Sequence, residues 1–342
     1  MGTRMLPVTK SVPKELLPIL DTPAIELAAA EAAHAGAKRM IIVSAPGKDM
    51  IARHFQPNLT LERRLFDKGK GAQVAAMRRT EDLLQIEIAT QSEPLGLGNA
   101  VACAEEHLTS QDEAVAVLLP DDLILPNDIL SRMAAVREHH GGTVLCAFDA
   151  PRHALSAYGV FDLADTADPH VKRVRDMVGK PAPQDAPSTF ACAGRYLLDR
   201  AVFEPLKHIP PGARGEIDLT DAIVELIRQG HPVHVLVHNG KRHDIGTATG
   251  MLYAAIDFAL EDPTNGPRLH NWLQSRLLVG DTADRTEELI GSTSDSSPAS
   301  SSPAAGCLSS TSPGAPARPG TSPGATSPSS APASACGCST AS

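Results

Sequence analysis

The stretch that decides the fold of this chain is an apolar run closed by two carboxylates, Ala114-Val115-Ala116-Val117-Leu118-Leu119-Pro120-Asp121-Asp122. An unbroken apolar run that ends in a turn residue is typical of a strand buried on both faces of a sheet. In open α/β sheets, ligands bind beyond the carboxyl ends of the strands. The run therefore predicts a core strand and the sheet edge at which polar chemistry is expected.

Segments with strand and helix character alternate on both sides of this run. Further strands are predicted at residues 40–44, 86–90, 143–148 and 233–237. Helices are predicted at residues 22–35, 99–108, 128–139, 219–228, 247–260 and 268–277. This repetition predicts an α/β fold with a mostly parallel (mixed) sheet and helices on both faces. The short segments between Pro-rich loops after residue 150 indicate an inserted or appended subregion.

The C-terminal segment differs in composition from the rest of the chain. From Gly291 onward about one third of the residues are Ser, and Ala, Pro and Gly make up most of the remainder. Such a segment cannot bury enough apolar surface to offset the entropy lost on ordering. We predict one domain over residues 1–278, followed by a linker and disordered tail over residues 279–342. A shifted reading frame and a natural linker both explain this tail.

Charge and hydropathy exclude several kinds of partner for the 342-residue chain. Its formal net charge is −9, and neutralising several phosphates of a nucleic acid would require a cluster of Lys and Arg. The sequence has no apolar run of the length that spans a membrane. It also lacks the pattern of a signal peptide at its start, so we expect a cytoplasmic protein with neither nucleic acid nor membrane as a partner.

A basic loop at the start of the chain is the first feature that indicates phosphate chemistry. The loop opens with Gly2 and carries Arg4, Lys10 and Lys14. Backbone N–H groups in such a loop, together with these cations, can cradle a phosphate chain. A solvated basic terminus would have the same composition, so the loop alone leaves both interpretations open.

Carboxylates at the ends of predicted strands are the second such feature. Asp121 and Asp122 follow the apolar run, and Asp244 follows the strand at 233–237 and a short turn. Mg²⁺ prefers one or two carboxylates together with phosphate oxygens, so these positions suit a metal that binds a phosphate. A polar turn or a helix cap would also explain each carboxylate.

A series of sequence blocks resembles, in order, the sugar nucleotidyltransferase family. The first block resembles the glycine-rich signature of that family and reads Gly2-Thr3-Arg4-Met5-Leu6-Pro7-Val8-Thr9-Lys10-Ser11-Val12-Pro13-Lys14-Glu15-Leu16-Leu17-Pro18. The later blocks are Gln91-Ser92-Glu93-Pro94-Leu95-Gly96-Leu97-Gly98-Asn99-Ala100, Leu119-Pro120-Asp121-Asp122, Ala157-Tyr158-Gly159-Val160, Lys180-Pro181, Gly194-Arg195-Tyr196, Gly215-Glu216-Ile217-Asp218-Leu219-Thr220-Asp221-Ala222 and His243-Asp244-Ile245-Gly246-Thr247. The resemblance covers about residues 1–278.

This resemblance implies a fold and an activity. The implied fold is a Rossmann-like mixed sheet of the nucleotide-diphospho-sugar transferase type. The first and last blocks favour the bacterial branch that transfers a uridylyl group from UTP to glucose 1-phosphate, over the thymidylyl and adenylyl branches. The products would be UDP-glucose and pyrophosphate, the cofactor Mg²⁺, and the assembly a homo-oligomer.

The resemblance also assigns roles to individual residues. The residues that would grip the triphosphate and serve catalysis are Arg4 and Lys14. The residues that would contact the nucleotide are Gly2, Thr3, Gln91 and Gly96. The residues that would bind the sugar phosphate are Gly159, Lys180 and Gly194. The residues that would hold Mg²⁺ are Asp121 and Asp244.

The sequence departs from the family pattern at two places. The family's first strand and an Ala-Gly pair that meets the base would lie before Gly2, and a start site placed too late is the simplest explanation of their absence. A central strand should then be missing, which would leave two neighbours with unpaired backbone groups. At the second place, Gly179 stands where the family has a Glu that binds sugar hydroxyls.

These departures leave two alternatives open beside the uridylyltransferase. One is a related nucleotidyltransferase that uses another sugar 1-phosphate. The other is a catalytically silent homologue that serves binding or assembly.

Overall fold

The computed structural model describes residues 3–212, residues 215–277 and the strand at residues 335–339. The chain divides into one compact unit over residues 1–258 and 330–342 and another over residues 259–329. Within its described residues, the second unit contains the end of one helix and a further helix at residues 266–277. All strands described below belong to the first unit.

The strands of the described residues, in chain order, are β1 (Pro18–Ile19), β2 (Thr22–Pro23), β3 (Arg39–Ser44), β4 (Gln85–Thr90), β5 (Ala114–Leu118), β6 (Asp122–Leu125), β7 (Thr143–Asp149), β8 (Gly159–Asp165), β9 (Val171–Gly179), β10 (Phe190–Asp199), β11 (Val233–Val237), β12 (Lys241–Asp244) and β13 (Ala335–Ser339). The α-helices are α1 (Ala24–His34), α2 (Asp49–His54), α3 (Leu59–Asp67), α4 (Gly71–Glu81), α5 (Leu97–Ala102), α6 (Ile129–His140), α7 (Phe203–His208), α8 (Leu219–Arg228), α9 (Ala248–Glu261) and α10 (266–277). In the described part of the chain, no helix has both the length and the apolarity needed to cross a membrane.

Most predicted elements agree with these bounds within a few residues. The predicted strand at 233–237 coincides with β11, and the predicted helix at 219–228 coincides with α8. The predicted helix at 99–108 is wrong in its second half, because α5 ends at Ala102 and a separate 3₁₀ turn follows at Glu105–His107. Helices α2, α3 and α4 were not predicted from the sequence.

The main sheet has nine strands in the order β4-β3-β13-β5-β10-β7-β11-β9-β8. Only the β3–β4 and β7–β11 neighbours pair in parallel, whereas the other neighbours pair antiparallel. The sheet is therefore mixed, as predicted, but its pairing is not mostly parallel. Six neighbour pairs are antiparallel, and β13 and β10 account for two pairs each. Strand β10 lies in the middle of the sheet between β5 and β7. The sequence had indicated an inserted or appended subregion there.

The apolar run that opened the sequence analysis forms β5 and is buried along its whole length. Its even-numbered residues, Ala114, Ala116 and Leu118, pack in one core cluster with α1 and α6. Val115 and Val117 pack in a second cluster with α7 and α8. Because successive side chains of a strand point to opposite faces, helices cover the sheet on both sides. This confirms the predicted α/β layering.

The central position between β3 and β5 is occupied by β13, which is antiparallel to both neighbours. Cys336 pairs with Ile42 on one side and with Leu118 on the other. Without a strand between them, β3 and β5 would each have an edge of unpaired backbone N–H and C=O groups. Strand β13 pairs with both of these edges. The neighbours expected to lack a partner therefore have one, and it comes from the predicted disordered tail. The rest of that tail lies outside the described residues.

Candidate active site

Two predicted metal carboxylates lie near the carboxyl end of β5: Asp121 in the turn that follows β5, and Asp244 at the end of β12. Strand β6 begins at Asp122 and pairs antiparallel with β12, and Asp122 stands opposite Asp244 in that ladder. The backbone N–H of Ile245 donates a hydrogen bond of 2.9 Å to the carbonyl oxygen of Asp121. The two-stranded ladder therefore brings together Asp121 and Asp244, which are far apart in the sequence.

The two predicted phosphate-binding cations contact these carboxylates. The Nζ atom of Lys14 lies 2.6 Å from Oδ2 of Asp121, and Nη1 of Arg4 lies 3.4 Å from Oδ2 of Asp244. Glycine at position 246 makes room for this second pair, because a Cβ there would lie 2.6 Å from Nη2 of Arg4. We call Arg4, Lys14, Asp121 and Asp244 the phosphate side of the site.

The two ion pairs of the phosphate side differ in their exposure to solvent. The side chains of Lys14 and Asp121 are 20% and 27% exposed, whereas those of Arg4 and Asp244 are 61% and 41% exposed. Burial would raise the pKa of Asp121, but the charge and hydrogen bond of Lys14, with help from Arg4, lower the pKa below its usual range. Asp121 is therefore ionised, as a metal ligand must be.

The chemistry of these donors fits a divalent metal bound jointly by protein and phosphate. Across the described ranges 3–212 and 215–277, no group of three or more His, Cys, Asp or Glu side chains could hold a metal ion. Asp121 and Asp244 supply two carboxylates, and the residue after Asp244 is hydrogen-bonded to the backbone of Asp121. Mg²⁺ is commonly bound by one or two carboxylates, with substrate phosphates and waters completing its coordination. The two residues fit that arrangement.

The neighbouring carboxylate, Asp122, serves a different purpose from Asp121. It is buried, and its Oδ2 accepts a 2.7 Å hydrogen bond from the backbone N–H of Gly194. Nε of Arg242 lies 2.8 Å from its Oδ1 and 3.0 Å from its Oδ2. The apolar run alone did not distinguish Asp121 from Asp122, whereas the family resemblance assigned Mg²⁺ to Asp121, and the two carboxylates have different contacts in the structure.

The predicted base-contacting residues lie in one loop between β4 and α5. Gln91 is buried, and its Nε2 donates to the carbonyl oxygen of Gly96 at 3.1 Å and to Oδ1 of Asn99 at 2.9 Å. Gly96 has a φ of +95°, a conformation that L side chains rarely adopt. A Cβ at Gly96 would also lie 2.9 Å from the carbonyl oxygen of Ile217. The loop therefore requires glycine at this position.

Two glycines and a lysine lie at the end of the β8–β9 hairpin, and we call Gly159, Gly179 and Lys180 the sugar side. Gly159 stands opposite Gly179 in the β8–β9 ladder. The backbone N–H of Lys180 donates a hydrogen bond of 2.8 Å to the carbonyl oxygen of Tyr158. Lys180 has a φ of +49°, which is uncommon for a residue with a side chain. The predicted sugar-binding residues Gly159 and Lys180 are thus neighbours in the structure.

The structure gives a packing reason for glycine at position 194. A Cβ there would lie 2.8 Å from Cβ of Leu119 and 2.9 Å from Cβ of Asp122. Glycine therefore allows β10 to approach the loop that carries Asp121. Of the remaining predicted contacts, Thr3 lies exposed in the first 3₁₀ turn, and Gly2 lies outside the described residues.

A buried ion pair behind the phosphate side was not predicted from the sequence. The side chains of Arg195 and Glu31 are 1% and 3% exposed, and their closest N···O distance is 2.8 Å. Nη1 of Arg195 also donates a hydrogen bond of 3.1 Å to the carbonyl oxygen of Leu119, which lies two residues before Asp121 in the chain. Glu31 was detectable as the one carboxylate in the middle of the Ala-rich stretch of α1. Removing either partner would leave a buried charge uncompensated.

The fold and the site together define a nucleotide-binding α/β enzyme that handles phosphate groups. The chain matches the family described as Nucleotidyl transferase over residues 1–261. It is 38% identical over 275 residues to the UTP–glucose-1-phosphate uridylyltransferase YngB of Bacillus subtilis (strain 168), which covers 80% of this chain and 91% of that protein. The chain therefore belongs to the nucleotidyl transferase family.

Solved structures support the same assignment. A UTP-bound UGPase from Acinetobacter baumannii is similar with a TM-score of 0.72 and 32% identity, covering 80% of this chain and 95% of that one. A UDP-glucose pyrophosphorylase complexed with UDP-glucose is similar with a TM-score of 0.65 and 30% identity, covering 75% and 94%. The resemblance found in the sequence blocks is thereby confirmed at the level of the family.

Proposed function

We propose that the chain transfers the uridylyl group of UTP to glucose 1-phosphate, giving UDP-glucose and pyrophosphate. The observation that carries this proposal is the phosphate side, where Lys14 contacts Asp121 at 2.6 Å and Arg4 contacts Asp244 at 3.4 Å. One of the similar proteins named above is described as a UTP–glucose-1-phosphate uridylyltransferase, and the two solved structures are described as a UTP-bound UGPase and a UDP-glucose pyrophosphorylase complexed with UDP-glucose. The silent-homologue alternative is disfavoured because all four residues lie together.

The reaction needs stabilisation of charge more than it needs proton transfer. The attacking group is a phosphate oxygen of glucose 1-phosphate, whose second pKa of about 6 leaves it ionised at neutral pH. The attack forms a bond from that oxygen to the α-phosphorus of UTP and breaks the bond to pyrophosphate. Because both reactants are anions, the protein must align them and shield their charges.

We assign the shielding to the phosphate side. Arg4 and Lys14 would leave their carboxylate partners to bind the triphosphate, and Asp121 and Asp244 would then be free to hold Mg²⁺. Bound Mg²⁺ supplies charge neutralisation at the phosphate oxygens and orients them for attack. Lys14, which is mostly buried, would bind inside the site, whereas the more exposed Arg4 would meet the phosphate chain nearer to solvent.

We assign the remaining predicted residues to recognition of the two ends of the product. Gln91 and the backbone at Gly96 would contact the uracil base, with Gly2 and Thr3 on the nucleotide as well. Gly159 would leave room for the sugar, and Lys180 would bind its phosphate. Gly194, the third predicted sugar-phosphate residue, would act indirectly, by letting β10 pack against the loop that carries Asp121.

The proposal is tested by incubating the full chain with UTP, glucose 1-phosphate and MgCl₂ and measuring pyrophosphate and UDP-glucose in equal amounts. Thymidine, adenosine and guanosine triphosphates are run in parallel, since the base loop should favour uracil. Chelation of Mg²⁺ should stop the reaction. Absence of UDP-glucose from a folded, Mg²⁺-supplemented chain would disprove the proposed activity.

A second candidate function is favoured by Gly179. Without the carboxylate that the family places there, the sugar side offers little to distinguish the hydroxyls of one hexose from those of another. The same transfer could then act on a different sugar 1-phosphate. Comparing kcat/KM for glucose, galactose, mannose and N-acetylglucosamine 1-phosphates decides between these substrates.

We further propose a homo-oligomer located in the cytoplasm. The exposed apolar residues Leu59 and Phe66 on α3, which are 73% and 75% exposed, support an association surface. Size-exclusion chromatography with light scattering tests this assembly, and a monomer at micromolar concentration would contradict it.

A further inference from the structure

Arg242 lies between the phosphate side and the sugar side and contacts residues that lead to both. It is on β12, two positions before Asp244, and its side chain is 16% exposed. Its Nε lies 2.8 Å from Oδ1 of Asp122, and its Nη1 donates a 3.2 Å hydrogen bond to the hydroxyl oxygen of Tyr158. One planar guanidinium group therefore contacts two different elements.

Aromatic rings fix the plane of this guanidinium group. Its Cζ lies 4.2 Å from the ring centroid of Phe148 and 4.9 Å from that of Tyr158. The two rings themselves meet edge to face at 5.2 Å. Cation–π contacts of this kind favour an arginine whose fork is stacked and oriented, and a flexible lysine would not reproduce them.

On one side, Arg242 reaches the ladder that carries the metal carboxylates. Asp122 stands opposite Asp244 in the β6–β12 ladder and follows Asp121 directly. Its carboxylate also accepts the backbone N–H of Gly194 at 2.7 Å, so it is held from two directions. A shift of Asp122 would move both metal carboxylates, because Asp121 is its neighbour in the chain and Asp244 is its partner in the ladder.

On the other side, Arg242 reaches the sugar side through Tyr158. The carbonyl oxygen of Tyr158 accepts the backbone N–H of Lys180 at 2.8 Å, and the next residue, Gly159, faces Gly179. The uncommon backbone conformation of Lys180 therefore depends on the position of Tyr158. The hydroxyl of the same tyrosine is held by Arg242.

We propose that Arg242 is a positioning residue that couples the two halves of the site, through Asp122 toward the metal carboxylates and through Tyr158 toward Lys180. The inference rests on the proposed function and adds a residue that does not touch either substrate. In-line attack requires the sugar phosphate and the α-phosphorus to be aligned closely, and a misplacement of about 1 Å can reduce the rate about 10²-fold. Arg242 fixes that alignment across the cleft.

Two conservative variants test the proposed coupling, one at Arg242 and one at Tyr158. Arg242→Lys keeps a positive charge near Asp122 but cannot bind the carboxylate and the tyrosine hydroxyl together. Tyr158→Phe keeps both ring contacts and removes only the hydroxyl. We expect Arg242→Lys to lower kcat about 10-fold or more and both variants to raise KM for glucose 1-phosphate, with KM for UTP changed less than about 2-fold.

A double-mutant cycle of Arg242→Lys and Tyr158→Phe shows whether the two substitutions act through the same contact or independently. Because both variants break the same path, the double variant should be little worse than Arg242→Lys alone. Arg137→Lys is the matched control, since Arg137 also pairs with a carboxylate, Asp199 at 3.3 Å, and has similar exposure. Additive effects in the cycle, or an equal loss of activity in the control, would overturn the proposal.

Hydrogen exchange measured without substrate distinguishes this inference from the proposed function. Both variants should speed exchange of the Lys180 amide and of its neighbours in the β8–β9 hairpin, and Arg137→Lys should not. If the wild-type chain formed no UDP-glucose, the proposed function would be disproved. Hydrogen exchange at Lys180 would still test whether Arg242 and Tyr158 hold the sugar side in place. Unchanged exchange and an unchanged KM for glucose 1-phosphate in Tyr158→Phe would overturn the inference even in an active enzyme.

Discussion

The phosphate side and the sugar side of the cleft are built from opposite kinds of residue. On the phosphate side, each predicted cation contacts a carboxylate, so charges of both signs are in place before any substrate binds. The sugar side presents two glycines and one lysine, and the space next to Gly179 is open to about 3.9 Å, where it meets Thr220. From this contrast we propose that the chain keeps the charged groups for joining two anions and binds the sugar more weakly.

Asp121→Asn should produce the largest effect, because it removes one of two charges that would hold Mg²⁺. The substitution keeps the shape of the side chain, so the fold should remain intact by circular dichroism. Turnover of UTP and glucose 1-phosphate should fall about 10³-fold or more. Asp67→Asn, which alters an exposed carboxylate on α3, is the control. Turnover within about 10-fold of wild type would show that the phosphate side is not the catalytic half.

Lys14→Ala should produce the next largest effect, a loss in kcat/KM for UTP of about 10²-fold or more. The physical reason is the loss of a mostly buried cation that would contact the triphosphate. Lys10→Ala is a close control, since Lys10 lies in the same basic loop but is exposed. Equal effects from the two lysines would indicate a loop that acts only through its overall charge.

Gly179→Glu should sharpen the comparison by restoring a carboxylate to the sugar side. The structure can accept it, because a Cβ at this position would meet nothing closer than Cγ2 of Thr220 at 3.9 Å. Hydrogen bonds from sugar hydroxyls to a carboxylate contribute about 1.5–3 kcal/mol each. We expect KM for glucose 1-phosphate to fall about 10-fold or more, since about 1.4 kcal/mol corresponds to a factor of ten.

The matched control for that variant is Gly179→Gln, which has nearly the same shape and no charge. It should recover only part of the affinity and little of the preference among sugar 1-phosphates. If Gly179→Glu leaves both KM and sugar preference unchanged, another residue recognises the sugar, and glucose itself becomes doubtful as the substrate.

Arg4→Ala should produce the smallest effect on the fold. Its ion pair with Asp244 is 3.4 Å long and exposed on both sides. Exposed pairs of this kind contribute between about 0 and 1 kcal/mol to stability. The free energy of unfolding in urea should therefore change by less than about 0.5 kcal/mol, while kcat/KM for UTP falls. A larger loss of stability would mean that the basic loop is part of the folded core.

The sequence predicted best those parts of the fold that have a strong local signal. The buried strand β5, the helix α8 and the strand β11 could all be read from short apolar patterns. Strand β10 could not, because the polar Arg195 in its middle has its carboxylate partner, Glu31, 164 residues away in the chain. Which strands become neighbours is decided by such distant contacts, so the mixed order of the sheet was not predictable.

The site residues show the same difference between those with a local sequence signal and those defined by contacts with distant residues. Family blocks pointed to Asp121 and Asp244, and the β6–β12 ladder places Asp244 opposite Asp122, the residue that follows Asp121. The separate role of Asp122 was hidden, because one carboxylate next to another carries no sign of its partner. Arg242 was also missed, since it stands just before a recognised block and its contacts with Asp122, Phe148 and Tyr158 exist only in the folded chain.

The position of β13 has a consequence for the order of events during folding. Met40 pairs with Cys338, a partner 298 positions away, whereas on the other side of β3 it pairs with Ile86, only 46 positions away. Loop-closure entropy grows with the logarithm of length, so the longer closure costs about 2 kcal/mol more. Contacts between distant residues also slow folding. The β3–β4 pair can form as soon as the ribosome has released it, but the position between β3 and β5 is filled only after residues 335–339 have been made.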